Sequence, residues 1–156
     1  MNILGIGPLL VITGVVTGAI VMIFCRIAEC SVSLPPPWRE LIFWVGIILL
    51  IPGVYFWISS AILVKRAFKS QCLVKTGVYG LSRNPMYAGF IVFIVPGLAL
   101  ILNNMLLIGV SMAMFVVFKL RIGVEENILL KEFGVEYERY RTTVPQLIPF
   151  IRLRKT

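Results

Sequence analysis

The sequence predicts an all-α, polytopic membrane protein: four transmembrane helices, the last two forming a helical hairpin, and a C-terminal cytoplasmic helical segment. Three observations lead there. Of 156 residues, 59% are apolar and only 14% charged, with a mean hydropathy of +0.96. Soluble chains carry about a quarter charged residues, so this one cannot cover a water-facing surface. The charges also leave three long gaps, since residues 1–25, 41–64 and 84–118 carry none. Finally, the cations are unevenly placed between the gaps. These features exclude a soluble globule, a disordered chain and a disulfide scaffold. The length leaves room for one domain, 1–156, and no internal repeat is visible.

The first span is expected at about 3–25. It has no basic segment before it and is too long for the apolar core of a signal peptide, so it reads as a retained helix. Gly14 and Gly18 form a small-xxx-small pattern that lets helices approach closely, either within a monomer or in a weak homodimer. The loop 26–40 holds Arg26, Arg39 and the stiff Pro35-Pro36-Pro37 run. The second span is expected at about 41–64. The third gap is 35 residues long, too much for one helix, which needs about 20. Asn103-Asn104 interrupts it, and asparagine favours turns. The expectation is therefore a tight hairpin, 86–102 and 105–120, whose first arm bends at Pro96-Gly97.

With four spans, the loop 65–83 and the tail fall on one side. That side holds five cations in the loop and eight in the tail, against Arg26 and Arg39 on the other. The positive-inside rule places both termini in the cytoplasm and makes the basicity a mark of sidedness rather than of nucleic acid binding. There is no histidine, which removes the usual general base and zinc ligand. Cys25, Cys30 and Cys72 form no CxxC pair and are odd in number, so neither a metal site nor a disulfide framework is expected.

Two cytoplasmic segments, 72–89 and 121–150, do not look like membrane filler. One opens the hairpin and the other closes it, so Arg83 should lie near the Glu125-Glu126 pair. Gly77 and Gly80 allow tight turns and close approach of backbone to a ligand. Ser82 or Asn84 is placed to cap a helix that begins at Pro85, and that helix start favours an anion. Arg83 adds a permanent cation able to bind a carboxylate with two nitrogens. With the glutamates opposite, the set suits a zwitterionic small molecule. The competing reading is ordinary anchoring, with Arg83 and Lys119 at the interface and Glu125 paired to Arg121 on its own helix.

Gly77-x-Tyr79-x-x-x-Arg83-x-Pro85-x-Tyr87 with Gly89, followed by Glu125-Glu126, Leu129, Phe133-Gly134, Tyr137, Tyr140, Val144-Pro145 and Pro149, resembles the two ordered motifs of the isoprenylcysteine carboxyl methyltransferase and phospholipid methyltransferase superfamily. The resemblance covers about 72–150. It implies S-adenosylmethionine as cofactor, S-adenosylhomocysteine as product and a lipophilic methyl acceptor reached from the bilayer. It implies a cofactor site lined by Lys75, Gly77, Val78, Tyr79, Arg83, Asn84, Pro85 and Tyr87 from the first motif. The second would add Glu125, Glu126 and Leu129, with Tyr137 and Tyr140 as cover. The chain departs from the pattern at Asn84, where the family usually has histidine, and at Thr143, where the prenylcysteine enzymes carry a basic residue before Val-Pro.

The expected catalytic residues are Arg83, Glu126 and Arg141. A carboxylate acceptor is ionised at pH 7 and needs only a cation to orient it, which Arg83 or Arg141 would supply. An amine acceptor must first lose a proton to Glu125 or Glu126. The inventory favours carboxyl methylation over methylation of a phospholipid amine. Three functions outside this class compete with it. A small transporter would carry a charge inside a span, and none does here. The remaining two are a nicotinamide-dependent reductase and a non-catalytic structural protein.

Overall fold

The computed structural model describes residues 6–29, 32–70 and 72–147, without the side chains of 68–70. Outside the described residues lie the expected span's first positions 3–5, Cys30, Pro149 with the end of the 121–150 segment, and the tail cations Arg152, Arg154 and Lys155.

The described residues are helical with short connections and no strand. Helix α1 (Gly7–Ile27) starts with proline in its first turn, where a missing N–H costs nothing, and ends with Arg26 in its last turn. Helix α2 (Trp38–Ser70) has Glu40 in its first turn and Pro52 inside. It outruns the expected 41–64 at both ends, because no residue there breaks a helix. A one-turn helix α3 (Val78–Leu81) follows. Helix α4 runs Pro85–Ile101, and its stretch Gly89–Ile94 is a wider π-helical turn just before Val95-Pro96. Proline lacks an N–H and clashes with the carbonyl four residues earlier; a widened turn relieves both. The expected bend is thus a π-bulge a few residues earlier.

The chain reverses at Asn103-Asn104. Asn103 adopts φ +49, which asparagine tolerates better than most residues. The Asn104 side chain accepts the Leu106 N–H at 3.2 Å, starting a 3₁₀ turn, Met105–Leu107. Helix α5 (Ile108–Thr143) then runs well past the expected end at 120. The change at Lys119 from apolar to polar sequence alters what surrounds the helix, not its backbone bonds. The first interruption is Gly134, at φ 51 and ψ −125.

Three helices are long and apolar enough to cross a membrane: Gly7–Ile27, Trp38–Ala67 and Met105–Thr143; Pro85–Ile101 is a shorter apolar helix. Large apolar side chains on the outer faces, such as Val15 at 66% and Ile51 at 67% exposed, suit hydrocarbon and not water. Inside, α4 packs on both α2 and α5, and α1 leans on α5. The α2–α4 contact is glycine on glycine. A Cβ at Gly46 would fall 2.7 Å from the Gly97 carbonyl oxygen, and one at Gly89 would fall 2.9 Å from that of Gly53. The GxxxG pair behaves differently: a Cβ at Gly14 would meet the Met114 sulfur of α5 at 3.0 Å, while one at Gly18 would meet nothing within 4 Å. The hairpin turn is tied to the first loop. Asn103 exchanges two hydrogen bonds with the Leu34 backbone, at 3.0 and 3.1 Å, and the Met105 N–H donates to the Val32 carbonyl.

Candidate active site

At the opposite end from that turn, the start of α4 and the second half of α5 converge. Gly77 sits at φ 62 and ψ −134, a conformation that L residues with a Cβ rarely adopt. It turns the chain into α3, where Val78 is buried. Ser82 is then extended and buried. The expected side-chain cap on α4 is absent. Ser82 Oγ instead accepts the Asn84 N–H at 3.2 Å, and Asn84 Nδ2 donates to the Gln146 carbonyl at 2.8 Å. The asparagine amide is drawn away by the segment that follows α5. Pro85 is buried in the first turn of α4.

Arg83 Nη1 lies 2.9 Å from Glu126 Oε1, with both side chains nearly buried (12% and 15% exposed). The hairpin does bring these together, and among the described ion pairs none joins Glu125 to Arg121. The N–H vectors of Arg83 Nη1 and Nε, however, meet no acceptor. The guanidinium therefore has Coulombic contact with Glu126 but retains unused donors, each of which carries a desolvation penalty.

Glu125 faces elsewhere. Its Oε1 accepts the Tyr87 hydroxyl at 3.0 Å and the Ile6 N–H before α1. The Tyr87 ring packs on Phe118, centroids 5.7 Å apart. Tyr140 donates to the Tyr79 carbonyl at 2.7 Å and packs on the buried Tyr137, so Tyr140 touches the first motif and Tyr137 lies beside it. Burial pushes the Tyr79 phenol up to about 12; the nearby Glu125 carboxylate pushes the same way and the Ser60 hydroxyl opposes. Tyr79 is therefore neutral at physiological pH.

Other expected residues stand further out. Lys75 pairs with Glu136 at 2.5 Å on an exposed rim. Leu129, one turn beyond Glu126, is half-buried. Arg141 pairs with Glu138 of its own helix at 3.0 Å, and both it and Arg83 lie near enough to Tyr137 to act on its hydroxyl. A cleft of about 480 Å³ is lined by Lys75, Glu136, Arg139, Tyr140 and Thr143 among others. Arg83 and Glu126 do not line it, although Tyr140 belongs to both places. No group of three His, Cys, Asp or Glu comes together among the described residues.

Sequence reasoning missed Gln146. Its Nε2 donates to Glu126 Oε1 at 2.9 Å, and its Oε1 accepts from Lys119 Nζ at 2.7 Å. The chain around it is pinned: the Arg83 N–H donates to the Pro145 carbonyl at 2.8 Å, and Leu147 is buried. The available signal was its place directly after Val144-Pro145.

Comparison with known proteins gives a consistent picture. The family model described as phospholipid methyltransferase matches residues 41–136. The protein-S-isoprenylcysteine O-methyltransferase of Saccharomyces cerevisiae is 38% identical over 92 residues, 59% of this chain and 38% of that protein. That of Xenopus laevis is 36% identical over 83 residues, 53% of this chain and 29% of that one. A probable protein-S-isoprenylcysteine O-methyltransferase of Oryza sativa subsp. indica is 29% identical over 117 residues, 69% of this chain and 61% of that one. The chain thus spans less than two thirds of the length of each of these relatives. No solved structure matches.

Proposed function

Because the chain belongs to the phospholipid methyltransferase family, we propose that it is an integral membrane methyltransferase that uses S-adenosylmethionine to methylate a lipophilic acceptor, with a prenylcysteine-like carboxylate preferred. The observation that carries this reading is the nearly buried Arg83, whose Nε and Nη1 donors lack acceptors beside the Glu126 carboxylate. A cation with spare donors next to an anion is the complement of an α-amino acid end, and S-adenosylmethionine has one. The donor set therefore fits: Arg83 would hold the carboxylate and Glu126 the ammonium. When bound, the cofactor supplies a methyl group already activated on a sulfonium, leaving S-adenosylhomocysteine as product.

What remains for the protein is to position and to exclude water. Tyr140, locked to the Tyr79 carbonyl, closes over the first motif. A carboxylate acceptor needs no base, which suits a chain without histidine and with a non-titrating asparagine at position 84. An amine acceptor is the second reading, favoured by Glu125. That carboxylate accepts from Tyr87 and the Ile6 N–H through a single oxygen, Oε1. The names of the relatives support the carboxylate.

The topology proposed with this function has four spans, Pro85–Ile101 being the third, and puts both termini and the site in the cytoplasm. The charge asymmetry supports it, as does the need for a water-soluble cofactor. The decisive experiment is calorimetry of S-adenosylmethionine and S-adenosylhomocysteine with the detergent-purified chain. Micromolar binding is expected, lost in Arg83→Ala and weakened in Arg83→Lys, which keeps the charge but not the paired donors. Methyl transfer to farnesylated N-acetylcysteine, and not to phosphatidylethanolamine vesicles, then selects the acceptor. Absence of binding in both detergent and nanodiscs would overturn the proposal.

A further inference from the structure

Lys119 and Glu126 lie seven residues apart on α5, two turns along the same face and about 10 Å along the axis. Two flexible side chains of opposite charge at that spacing can reach each other. They do not meet, because the Gln146 amide stands between them, its carbonyl end on Lys119 at 2.7 Å and its amine end on Glu126 at 2.9 Å. The amide is delivered there by backbone. The Pro145 carbonyl accepts the Arg83 N–H, and the Gln146 carbonyl accepts Asn84 Nδ2 at 2.8 Å and Ser82 Oγ at 3.4 Å. Three consecutive residues before α4 thus set the register of the segment that carries Gln146. Arg83 Nη1 lies closest to Oε1 of Glu126, the same oxygen to which Gln146 Nε2 donates. Among the described residues no hydrogen bond reaches Glu126 Oε2.

We infer that Gln146 is a positioning residue: it orients the Glu126 carboxylate toward the ligand side and keeps Lys119 from neutralising it, so that Glu126 and Arg83 together present an anion and a cation to the cofactor. The inference rests on the cofactor reading above and adds a residue and a role that neither motif carries. Removing the amide frees Glu126 to rotate and opens a path for Lys119. Hydrogen bonds to charged groups are worth enough for a loss of about tenfold in affinity. A carboxyl in the amide's place keeps the shape but donates only when protonated. Glu126 on one side favours its protonated form and Lys119 on the other its ionised form, so it gains a proton only toward the ordinary carboxylate range.

The test is calorimetry of S-adenosylmethionine with the full chain in nanodiscs, wild type against Gln146→Ala and Gln146→Glu, each variant first checked for wild-type helicity and elution. Gln146→Ala is expected to bind about tenfold more weakly. Gln146→Glu should bind more weakly still near pH 8 and regain affinity relative to wild type toward about pH 5, as its carboxyl becomes a donor. A purely structural role would not produce that pH dependence. Wild-type affinity in Gln146→Ala, tighter binding, or a Gln146→Glu curve parallel to wild type would overturn the inference while leaving the function intact. A wild-type chain without affinity would overturn both.

Discussion

Arg83 meets Glu126 and not Glu125, although the two glutamates are neighbours in sequence. Successive residues on a helix point about 100° apart, so only one of an adjacent pair can face a given partner. The hairpin argument brought Arg83 to the pair; helix rotation chose between them. Backbone conformation at the same end makes its own demand. Gly77→Ala must place a Cβ at φ 62. Its nearest neighbour would be the far end of the Leu63 side chain at 3.2 Å, which can yield, so backbone strain dominates. A loss of about 1–3 kcal/mol is expected, measured by thermal unfolding in detergent, together with weaker cofactor binding. Tyr79 contributes a pH dependence. Its folded-state value, about 12, lies above the ordinary 10.0, so its stabilising contribution is complete below pH 10 and declines as pH rises through the folded value. Helicity measured from pH 9 upward should show a loss that Tyr79→Phe removes in part. A Tyr79→Phe curve identical to wild type would show that this phenol does not contribute. Gln146 was illegible as a site residue because the contacts that fold it back onto Lys119 and Glu126 come from Ser82, Arg83 and Asn84, far away in sequence.

Among the elements, the hairpin was the clearest expectation, since a charge gap longer than one span with paired asparagines inside leaves little else. Its turn is where the sequence places it. The end of its second arm is not, because hydropathy marks where lipid stops and only a breaker such as Gly134 marks where helix stops. The helix contacts were less legible. The conspicuous GxxxG pair supplies one packed glycine, whereas the tight crossing uses Gly46, Gly53, Gly89 and Gly97, spaced too widely to form that motif. Gly89→Ala sets a methyl 2.9 Å from a backbone oxygen, which cannot swing aside. We expect a loss of about 1–3 kcal/mol by overpacking, against little change for Gly18→Ala in the same unfolding assay. Equal effects would reassign the critical contact.

For the molecule as a whole, sidedness is the quantity to measure. Cys72 is exposed and adjoins the first motif. A membrane-impermeant maleimide should label it in inverted vesicles and not in intact cells; the reverse pattern would turn the proposed topology over. The apolar helical class, the hairpin turn and the family motifs could all be read from the linear chain. Each rests on local pattern: run length, breaker residues and fixed short spacings. Packing settled the rest. It selected which glutamate meets Arg83, placed Gln146 between Lys119 and Glu126, paired Arg141 with Glu138 and chose which glycines touch. Those outcomes depend on how each helix is rotated about its axis and where the chain returns, and both are set by contacts between segments far apart in sequence.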